Sequence, residues 1–207
     1  MYFPFLDEAP EFHPRVLEAL REPLESGDIA LHRARGVTHY PARFQLVLAA
    51  NPCPCGRAWG RGEECTCSAQ ARRRYMARLS GPILDRVDIR VQVPKVTVAV
   101  GDGFEAGEPS AVIAERVRTA RERQAERFTE LPIATNAQIP GPLLRGAMAL
   151  SRTDRAILQR MLDAGSLTMR GHDRVVRIAW TIADLLGADR PDSKHVDAAL
   201  ELRGDDR

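Results

Sequence analysis

The hydrophobic pattern of this chain changes across a stretch rich in glycine, proline and small residues, 94–110. Before this stretch, short apolar runs are typical of β-strands. After it, apolar residues recur at the three- and four-residue spacing of amphipathic helices. Glycine- and proline-rich stretches between two such patterns are typical of linkers. The sequence therefore predicts an α/β domain over 1–95, a linker over 96–110 and an all-α domain over 111–207.

The strands of the first domain are predicted from short apolar segments. Two dense runs predict buried strands at 3–6 and 44–50, and an alternating run predicts a third strand at 87–93. Two further runs, 29–33 and 37–40, predict a β-hairpin. The predicted helices are 12–24 and 69–79 in the first domain and 111–128, 151–162, 175–186 and 194–202 in the second.

The composition indicates a globular protein. Of the 207 residues, 44% are hydrophobic and 28% charged, which supplies a core and argues against disorder. The net charge of +2 gives no basic field over the whole molecule. No run approaches the roughly 18 apolar residues that span a membrane, and the first residues lack the basic segment of a signal peptide. We therefore expect a cytoplasmic protein with no membrane partner, whose cysteines are thiols or metal ligands rather than disulfides.

Polar side chains follow two of the predicted strands. Asp7 and Glu8 come directly after the first strand, and Asn51 follows the second. The carboxyl edge of such a sheet is where ligands bind in α/β folds. An ATPase needs one carboxylate for Mg²⁺ and another to deprotonate the attacking water, and an amide can orient that water. An acidic turn and an Asn-Pro turn are the simpler alternatives.

Two arginines occupy positions suited to phosphate chemistry. Arg86 lies on the predicted turn between a helix and a strand, from which a side chain can reach across a subunit interface as an arginine finger. Arg170 lies at the start of the most apolar predicted helix, where its side chain could cover a nucleotide. A salt-bridged surface arginine is the alternative for each, since 28 of the 30 basic residues are arginine.

The four cysteines form two close pairs, Cys53-Pro-Cys55 and Cys65-Thr-Cys67. In an extended segment, residues i and i+2 point the same way, so each pair can offer both sulfurs to one ion. Four thiolates suit a tetrahedral Zn²⁺ site. Reduced structural thiols are the alternative, but a polar loop offers no core in which to bury them. We therefore favour zinc, which would rigidify the loop.

A cluster of arginines follows the cysteines directly. Arginines on one helix can track the phosphate backbone of a nucleic acid. A solvated helix face explains the same pattern equally well. The cluster consists of Arg72, Arg73, Arg74 and Arg78.

Four segments in this order resemble the ComM/YifB branch of magnesium chelatase-like AAA+ proteins. They are Phe-Leu-Asp-Glu-Ala-Pro-Glu-Phe, Pro-Ala-Arg-Phe-Gln-Leu-Val-Leu-Ala-Ala-Asn-Pro-Cys-Pro-Cys-Gly, Ser-Gly-Pro-Ile-Leu-Asp-Arg-Val-Asp and Arg-Ile-Ala-Trp-Thr-Ile-Ala-Asp-Leu. The resemblance covers nearly the whole chain and is weakest at 97–110. It implies a Walker B pair at Asp7 and Glu8, with Asp7 holding Mg²⁺. It also implies a sensor-1 residue at Asn51, an arginine finger at Arg86, a sensor-2 arginine at Arg170 and an inserted hairpin over 28–40.

The resemblance also implies a fold and an activity. The fold is a AAA+ P-loop NTPase core with a helical lid, using ATP and Mg²⁺. The assembly is a homo-oligomeric ring, expected to be a hexamer, which acts on DNA as a branch-migration helicase. Two alternatives stay open: a chelatase-type ATPase subunit that powers metal insertion into a porphyrin, and a non-enzymatic, zinc-stabilised module that assembles with intact paralogues.

The sequence departs from the family in one motif. A P-loop requires a lysine after glycine, G-x-x-x-x-G-K-[ST], and neither Lys95 nor Lys194 follows a glycine. In the family, the P-loop strand lies between the strands at 44–50 and 87–93, so we expect a partial core with an incomplete parallel sheet. The sequence is interpreted as a carboxy-terminal portion, from truncation or a misassigned start. We expect it to be poorly soluble and not to bind or hydrolyse ATP alone, so whether it is an enzyme stays open.

Overall fold

The structure is a computed structural model that describes residues 2–34, 36–60, 62, 64–94 and 107–204. It divides into two compact units. The first is built from the described residues of Met1–Val87 and Gln92–Thr97, and the second from those of Asp88–Val91 and Val98–Arg207. The predicted boundary at 95 and most of the predicted linker lie outside the described residues.

The first unit contains two small sheets and several short helices. Its strands are β1 (Phe5–Leu6), β2 (Asp28–Arg33), β3 (Gly36–Pro41) and β4 (Val47–Leu48). Its helices are α1 (Pro14–Ala19), α2 (Arg21–Ser26), α3 (Ala69–Met76) and α4 (Gly81–Leu84), and a 3₁₀ turn covers Ala9–Glu11. A small core consists of Ala9, Leu17, Leu79 and Ile83, with Leu6, Leu20, Leu24, Leu48 and Leu84 packed around it.

The first sheet is parallel, as predicted, but short. Strand β1 pairs with β4 in the register Phe5↔Val47 and Leu6↔Leu48. An isolated parallel bridge extends the pairing back to Tyr2. The prediction that these strands are buried is wrong, because Phe5 is 62% exposed. A strand is buried only when layers cover both faces of its sheet, and a two-stranded sheet provides little of that cover.

The hairpin prediction is confirmed, and the strand predicted at 87–93 is wrong. Strands β2 and β3 pair antiparallel, with Ile29 opposite Tyr40. Over 87–93 the backbone forms no regular element, and Val91 and Val93 are each 67% exposed. A strand is stabilised by a hydrogen-bonded neighbour, and none of the strands in the described part of the chain pairs with this segment. Alternating apolar residues therefore do not form a strand here.

The helix predicted over 12–24 is divided into α1 and α2 at Leu20. Pro23 lies in the first turn of α2, where its missing N–H costs no intrahelical hydrogen bond. In one continuous helix the same proline would be internal and would remove a bond. Proline therefore explains why two short helices replace one long one.

The second unit is a bundle of helices around α8. Its helices are α5 (Ser110–Arg127), α6 (Gly141–Arg145), α7 (Arg152–Asp163), α8 (Met169–Leu186) and α9 (Ser193–Arg203). The predicted start of α7 is confirmed, because the Ser151 side chain accepts a hydrogen bond from the Asp154 backbone N–H at 3.2 Å. The predicted end of α8 is confirmed at Gly187, whose φ of 77° favours glycine.

A buried polar network lies inside this bundle. Asp184 of α8 is 2% exposed and forms an ion pair with Arg127. The Asn136 side-chain amide donates to the same carboxylate at 2.8 Å. The Arg127 guanidinium also stacks 4.6 Å from the ring centre of Trp180. These residues join three segments of the second unit. In the part of the chain that the structure describes, no helix is both long enough and apolar enough to cross a membrane.

Candidate functional site

The carboxyl ends of β1 and β4 carry the polar residues that the sequence analysis singled out. Asp7 and Glu8 follow β1, and Asn51 follows β4 by three residues. Because the two strands are parallel, these residues leave the sheet at the same edge. The pairing continues beyond the strands, where the Ala9 backbone N–H donates to the Ala49 carbonyl at 2.8 Å. Asp7 and Glu8 are exposed and Asn51 is half-buried.

The backbone at Glu8 is held in the left-handed region. Its φ is 50° and its ψ is 42°, and Glu8 is the only non-glycine residue with positive φ among the described residues. The Asp7 carboxylate accepts a hydrogen bond from the Glu8 backbone N–H at 2.8 Å. Ala9, which is fully buried, anchors the following turn. Such a conformation costs an L-residue about 1–2 kcal/mol, and strain of this kind concentrates at functional sites.

Replacing Glu8 with glycine is expected to stabilise the first unit by about 1 kcal/mol, because glycine adopts positive φ without the Cβ clash. Glu8→Ala, which keeps the Cβ atom, is the matched control and is expected to bring no such gain. Urea denaturation of the two variants measures the difference. Equal midpoints would show that the backbone at this position is not strained.

The four cysteine sulfurs form one cluster beyond Asn51. The Cys53 sulfur lies 3.3 Å from that of Cys55 and 3.6 Å from that of Cys65, and the sulfurs of Cys55 and Cys65 are 3.7 Å apart. All four sulfurs, including that of Cys67, lie within 4.8 Å of one another. Ligands about 2.3 Å from a tetrahedral Zn²⁺ ion would be separated by about 3.8 Å. The cluster therefore has the size of a four-thiolate metal site.

The thiols of the cluster differ in acidity. The Arg57 backbone N–H, followed by the Cys53 side chain, lowers the pKa of Cys55 to about 6. The Cys55 backbone N–H lowers the pKa of Cys67, but the Cys55 side chain and burial outweigh it and raise that pKa to about 11. Without a cation, one thiolate therefore opposes the ionisation of the next. A metal ion removes this opposition, since it binds thiolates.

The arginines that follow the cysteines have different surroundings. Arg72 is half-buried, and its guanidinium approaches Gly62 of the cysteine loop. Arg73 and Arg74 are exposed. Arg78 donates to the Pro10 carbonyl at 3.1 Å and to the Glu11 carboxylate at 3.0 Å, which connects the end of α3 to the turn after Glu8. The ion pair gives Arg78 a structural partner, and a role for these arginines in binding nucleic acid stays a prediction.

Arg86 is held by contacts within the first unit. Its side chain is 12% exposed, forms an ion pair with Glu25 and donates to the Pro82 carbonyl at 2.8 Å. The ion pair borders an open pocket of about 440 Å³. The pocket is lined by Glu18, Arg21, Glu22, Glu25, Ser26 and Arg86. Sequence reasoning missed Glu25, because its partner lies 61 positions away and no local pattern marks the pair.

Arg170 belongs to the second unit, where it lies in the first turn of α8 and is exposed. The Thr168 side chain caps this helix by accepting a hydrogen bond from the Gly171 backbone N–H at 3.1 Å. Of the predicted site residues, the structure thus brings Asp7, Glu8 and Asn51 to one edge and the cysteines to one cluster. The role predicted for Arg170 stays a prediction.

Comparison with known protein families gives two consecutive matches. Residues 3–100 match the model described as magnesium chelatase, subunit ChlI, and residues 107–203 match its C-terminal counterpart. An uncharacterised protein of Mycobacterium tuberculosis is 47% identical over 199 residues, which are 96% of this chain and 39% of the relative. YifB of Escherichia coli is 41% identical over 204 residues, 98% of this chain and 39% of YifB. Competence protein ComM of Haemophilus influenzae is 39% identical over 200 residues, 96% of this chain and 38% of ComM.

The first family model covers the parallel strand pair and the two carboxylates at its edge. The second covers the helical unit. The chain belongs to the magnesium chelatase-like family that includes YifB and ComM. It spans about two fifths of the length of these curated relatives.

Proposed function

We propose that the chain is the carboxy-terminal part of a AAA+ ATPase subunit, in which it supplies the hydrolytic half of the nucleotide site. The observation that carries this proposal is the common position of Asp7, Glu8 and Asn51 at the carboxyl edge of a parallel strand pair. Carboxylate oxygens are suitable ligands for Mg²⁺, and two carboxylates with an amide provide the groups that hydrolysis of a phosphoanhydride requires.

In this mechanism Asp7 holds the magnesium ion, which neutralises charge on the phosphates when it is bound. Glu8 accepts a proton from the attacking water, and Asn51 orients that water. The exposure of Asp7 and Glu8 leaves both carboxylates accessible to a ligand. The phosphate-binding loop comes from a different segment, because the sequence contains no glycine-lysine pair.

Two arginines complete the proposed site. Arg86 acts on the nucleotide of a neighbouring subunit in a homo-oligomeric ring, which we take to be a hexamer, and it exchanges Glu25 for a phosphate when the subunits meet. Arg170 contacts ATP as a sensor-2 residue. The ring is the assembly in which an arginine from one subunit reaches the site of the next.

We further propose that the ring acts on DNA in the cytoplasm and carries Zn²⁺ at its four cysteines. The name of the H. influenzae relative, a competence protein, supports DNA as the partner, since competence is the uptake of DNA. Arg73 and Arg74 are exposed on the helix that follows the cysteine cluster. The sulfur–sulfur distances in that cluster support zinc. A chelatase-type subunit is the second candidate, supported by the magnesium chelatase models.

A fusion protein tests the proposed activity. The part of E. coli YifB that lies outside the aligned residues is joined to this chain, so that the fusion has about the length of YifB. We expect Mg²⁺-dependent ATP hydrolysis, which Glu8→Gln lowers by about 100-fold or more through loss of the general base. Glu130→Gln, a change at an exposed glutamate of the second unit, is the matched control. If the Glu8→Gln fusion hydrolyses ATP at the rate of the unchanged fusion, Glu8 is not the general base. Stimulation of hydrolysis by DNA but not by a porphyrin supports the DNA motor over the chelatase-type subunit.

A further inference from the structure

The first arm of the cysteine cluster is directly connected to Asn51. Cys53 is two residues beyond Asn51 and is completely buried. The chain then turns, and the Gly56 backbone N–H donates to the Cys53 carbonyl at 3.0 Å. Gly56 has a φ of 72°, and a Cβ atom at this residue would lie 3.9 Å from Asn51 Cγ. The Asn51 side chain therefore lies beside the turn that carries Cys53 and Cys55.

The second arm of the cluster leads into the helix that is anchored beside the carboxylates. Cys67 precedes Ser68, whose side chain caps α3 by accepting a hydrogen bond from the Ala71 backbone N–H at 3.1 Å. The end of α3 is connected through Arg78 to the turn that follows Glu8. The two arms thus join the segment that carries Asn51 to a helix whose end is connected to Pro10 and Glu11, two and three residues beyond Glu8.

Few backbone hydrogen bonds hold the cysteine loop together in the part of the chain that the structure describes. The Gly62 N–H donates to the Trp59 carbonyl at 2.8 Å, and the Cys65 N–H donates to the Gly62 carbonyl at 2.9 Å. These bonds lie inside the second half of the loop. The two arms meet at the sulfurs, which lie 3.6 and 3.7 Å apart between the arms, and the Cys55 backbone N–H also donates to the Cys67 sulfur. Thiolates at such distances repel each other unless a cation lies between them.

We propose that a Zn²⁺ ion bound by Cys53, Cys55, Cys65 and Cys67 joins the two arms and thereby fixes the position of Asn51 relative to Asp7 and Glu8. In the function proposed above Asn51 orients the attacking water, and the cysteines act on Asn51 as positioning residues through the Gly56 turn. The consequence for ATP rests on the function proposed above. The metal-dependent position of Asn51 does not rest on that function, since it is a property of this chain in the absence of nucleotide.

The sequence provides a direct way to observe this coupling. It contains two asparagines, Asn51 in the first unit and Asn136 in the second. Selective ¹⁵N-asparagine labelling of the whole 207-residue chain therefore gives two side-chain amide signals in an NMR spectrum. The Asn136 amide is buried and bound to Asp184, and it serves as an internal reference.

The experiment adds Zn²⁺ to the reduced, chelator-treated chain and measures both bound metal and the two amide signals. We expect about one Zn²⁺ per chain, a shift of the Asn51 signal and an unchanged Asn136 signal. Cys55→Ser removes an exposed ligand without disturbing buried Cys53, and it is expected to abolish both metal binding and the Asn51 shift. Thr66→Ser, between two ligands, is the control that keeps both.

Two results would overturn the proposal. If the chain binds no zinc although its first unit is folded, judged by cooperative unfolding of that unit in urea, the metal site is wrong. If zinc binds and the Asn51 signal does not move, the positioning role is wrong while the metal site stands. Either result leaves the ATPase proposal untouched, because no nucleotide is present. Conversely, an inactive YifB fusion with an intact zinc-dependent Asn51 shift would refute only the ATPase proposal.

Discussion

Replacing Asp184 with alanine is expected to destabilise the helical unit by about 3–5 kcal/mol, because it leaves the Arg127 guanidinium without its carboxylate partner in the bundle. The Asn136 amide loses one of its two acceptors in the same step and keeps the Thr181 hydroxyl, and the N–H left unpaired adds to the cost. Denaturation in urea, followed by the fluorescence of Trp180 in a Trp59→Phe background, measures the change. Trp180 is a suitable probe because it stacks on Arg127.

The control for this prediction is Asp163→Ala. Asp163 is exposed at the end of α7, where it accepts a hydrogen bond from Gln159 at 2.8 Å. Its removal is expected to change stability by less than about 0.5 kcal/mol. An Asp184→Ala variant that unfolds at the midpoint of this control would contradict the view that the buried network holds the bundle together.

Replacing Arg86 with alanine in the YifB fusion is expected to lower the rate of ATP hydrolysis by about 10³-fold, because an arginine finger stabilises the charge that develops on the transferred phosphoryl group. ATP binding should change little, since this stabilisation is greatest in the transition state. Steady-state kinetics and equilibrium nucleotide binding separate the two effects. Arg21→Ala is the matched control, because Arg21 lines the same pocket and pairs with Glu18. If both arginine variants lose activity equally, the pocket has a structural role and Arg86 is not the finger.

Local patterns predicted the parts of the fold that depend on neighbouring residues. The hairpin, the helix start at Ser151 and the helix end at Leu186 each require only a few consecutive residues, and all three are confirmed. The parallel pairing of β1 and β4 is also confirmed, although each strand is only two residues long. The two cysteine pairs were likewise recognised from the sequence as a candidate metal site, because the members of each pair are only two residues apart.

The errors arose where the outcome depends on a distant or missing neighbour. The segment 87–93 alternates like a strand, but no described strand pairs with it. The burial predicted for β1 depends on layers that the two-stranded sheet does not have, so Phe5 is exposed. Proline chemistry explains the division at Leu20, and the position of Pro23 in the sequence was a signal that could have predicted it.

The contacts that the sequence did not reveal are ion pairs between distant segments. Arg127 and Asp184 are 57 positions apart, and Arg86 and Glu25 are 61 apart. Neither pair leaves a local pattern, because its two partners are far apart in the sequence. Nothing marks either arginine among the 28 in the chain. The two carboxylates and the amide of the candidate site were predicted, since each directly follows an apolar run. Their common edge required the observed pairing of β1 with β4.

In the proposed mechanism, this chain supplies Glu8 to the site within its own subunit and Arg86 to the site of a neighbouring subunit. Mixing two inactive fusion proteins, one with Glu8→Gln and one with Arg86→Ala, tests this arrangement. In a mixed ring, an Arg86→Ala subunit provides an intact Glu8 to a site whose Arg86 comes from a Glu8→Gln neighbour. Random mixing in equal amounts should restore roughly a quarter of the sites, and ATP hydrolysis should rise accordingly. Mixed rings that stay as inactive as either variant alone would contradict the account.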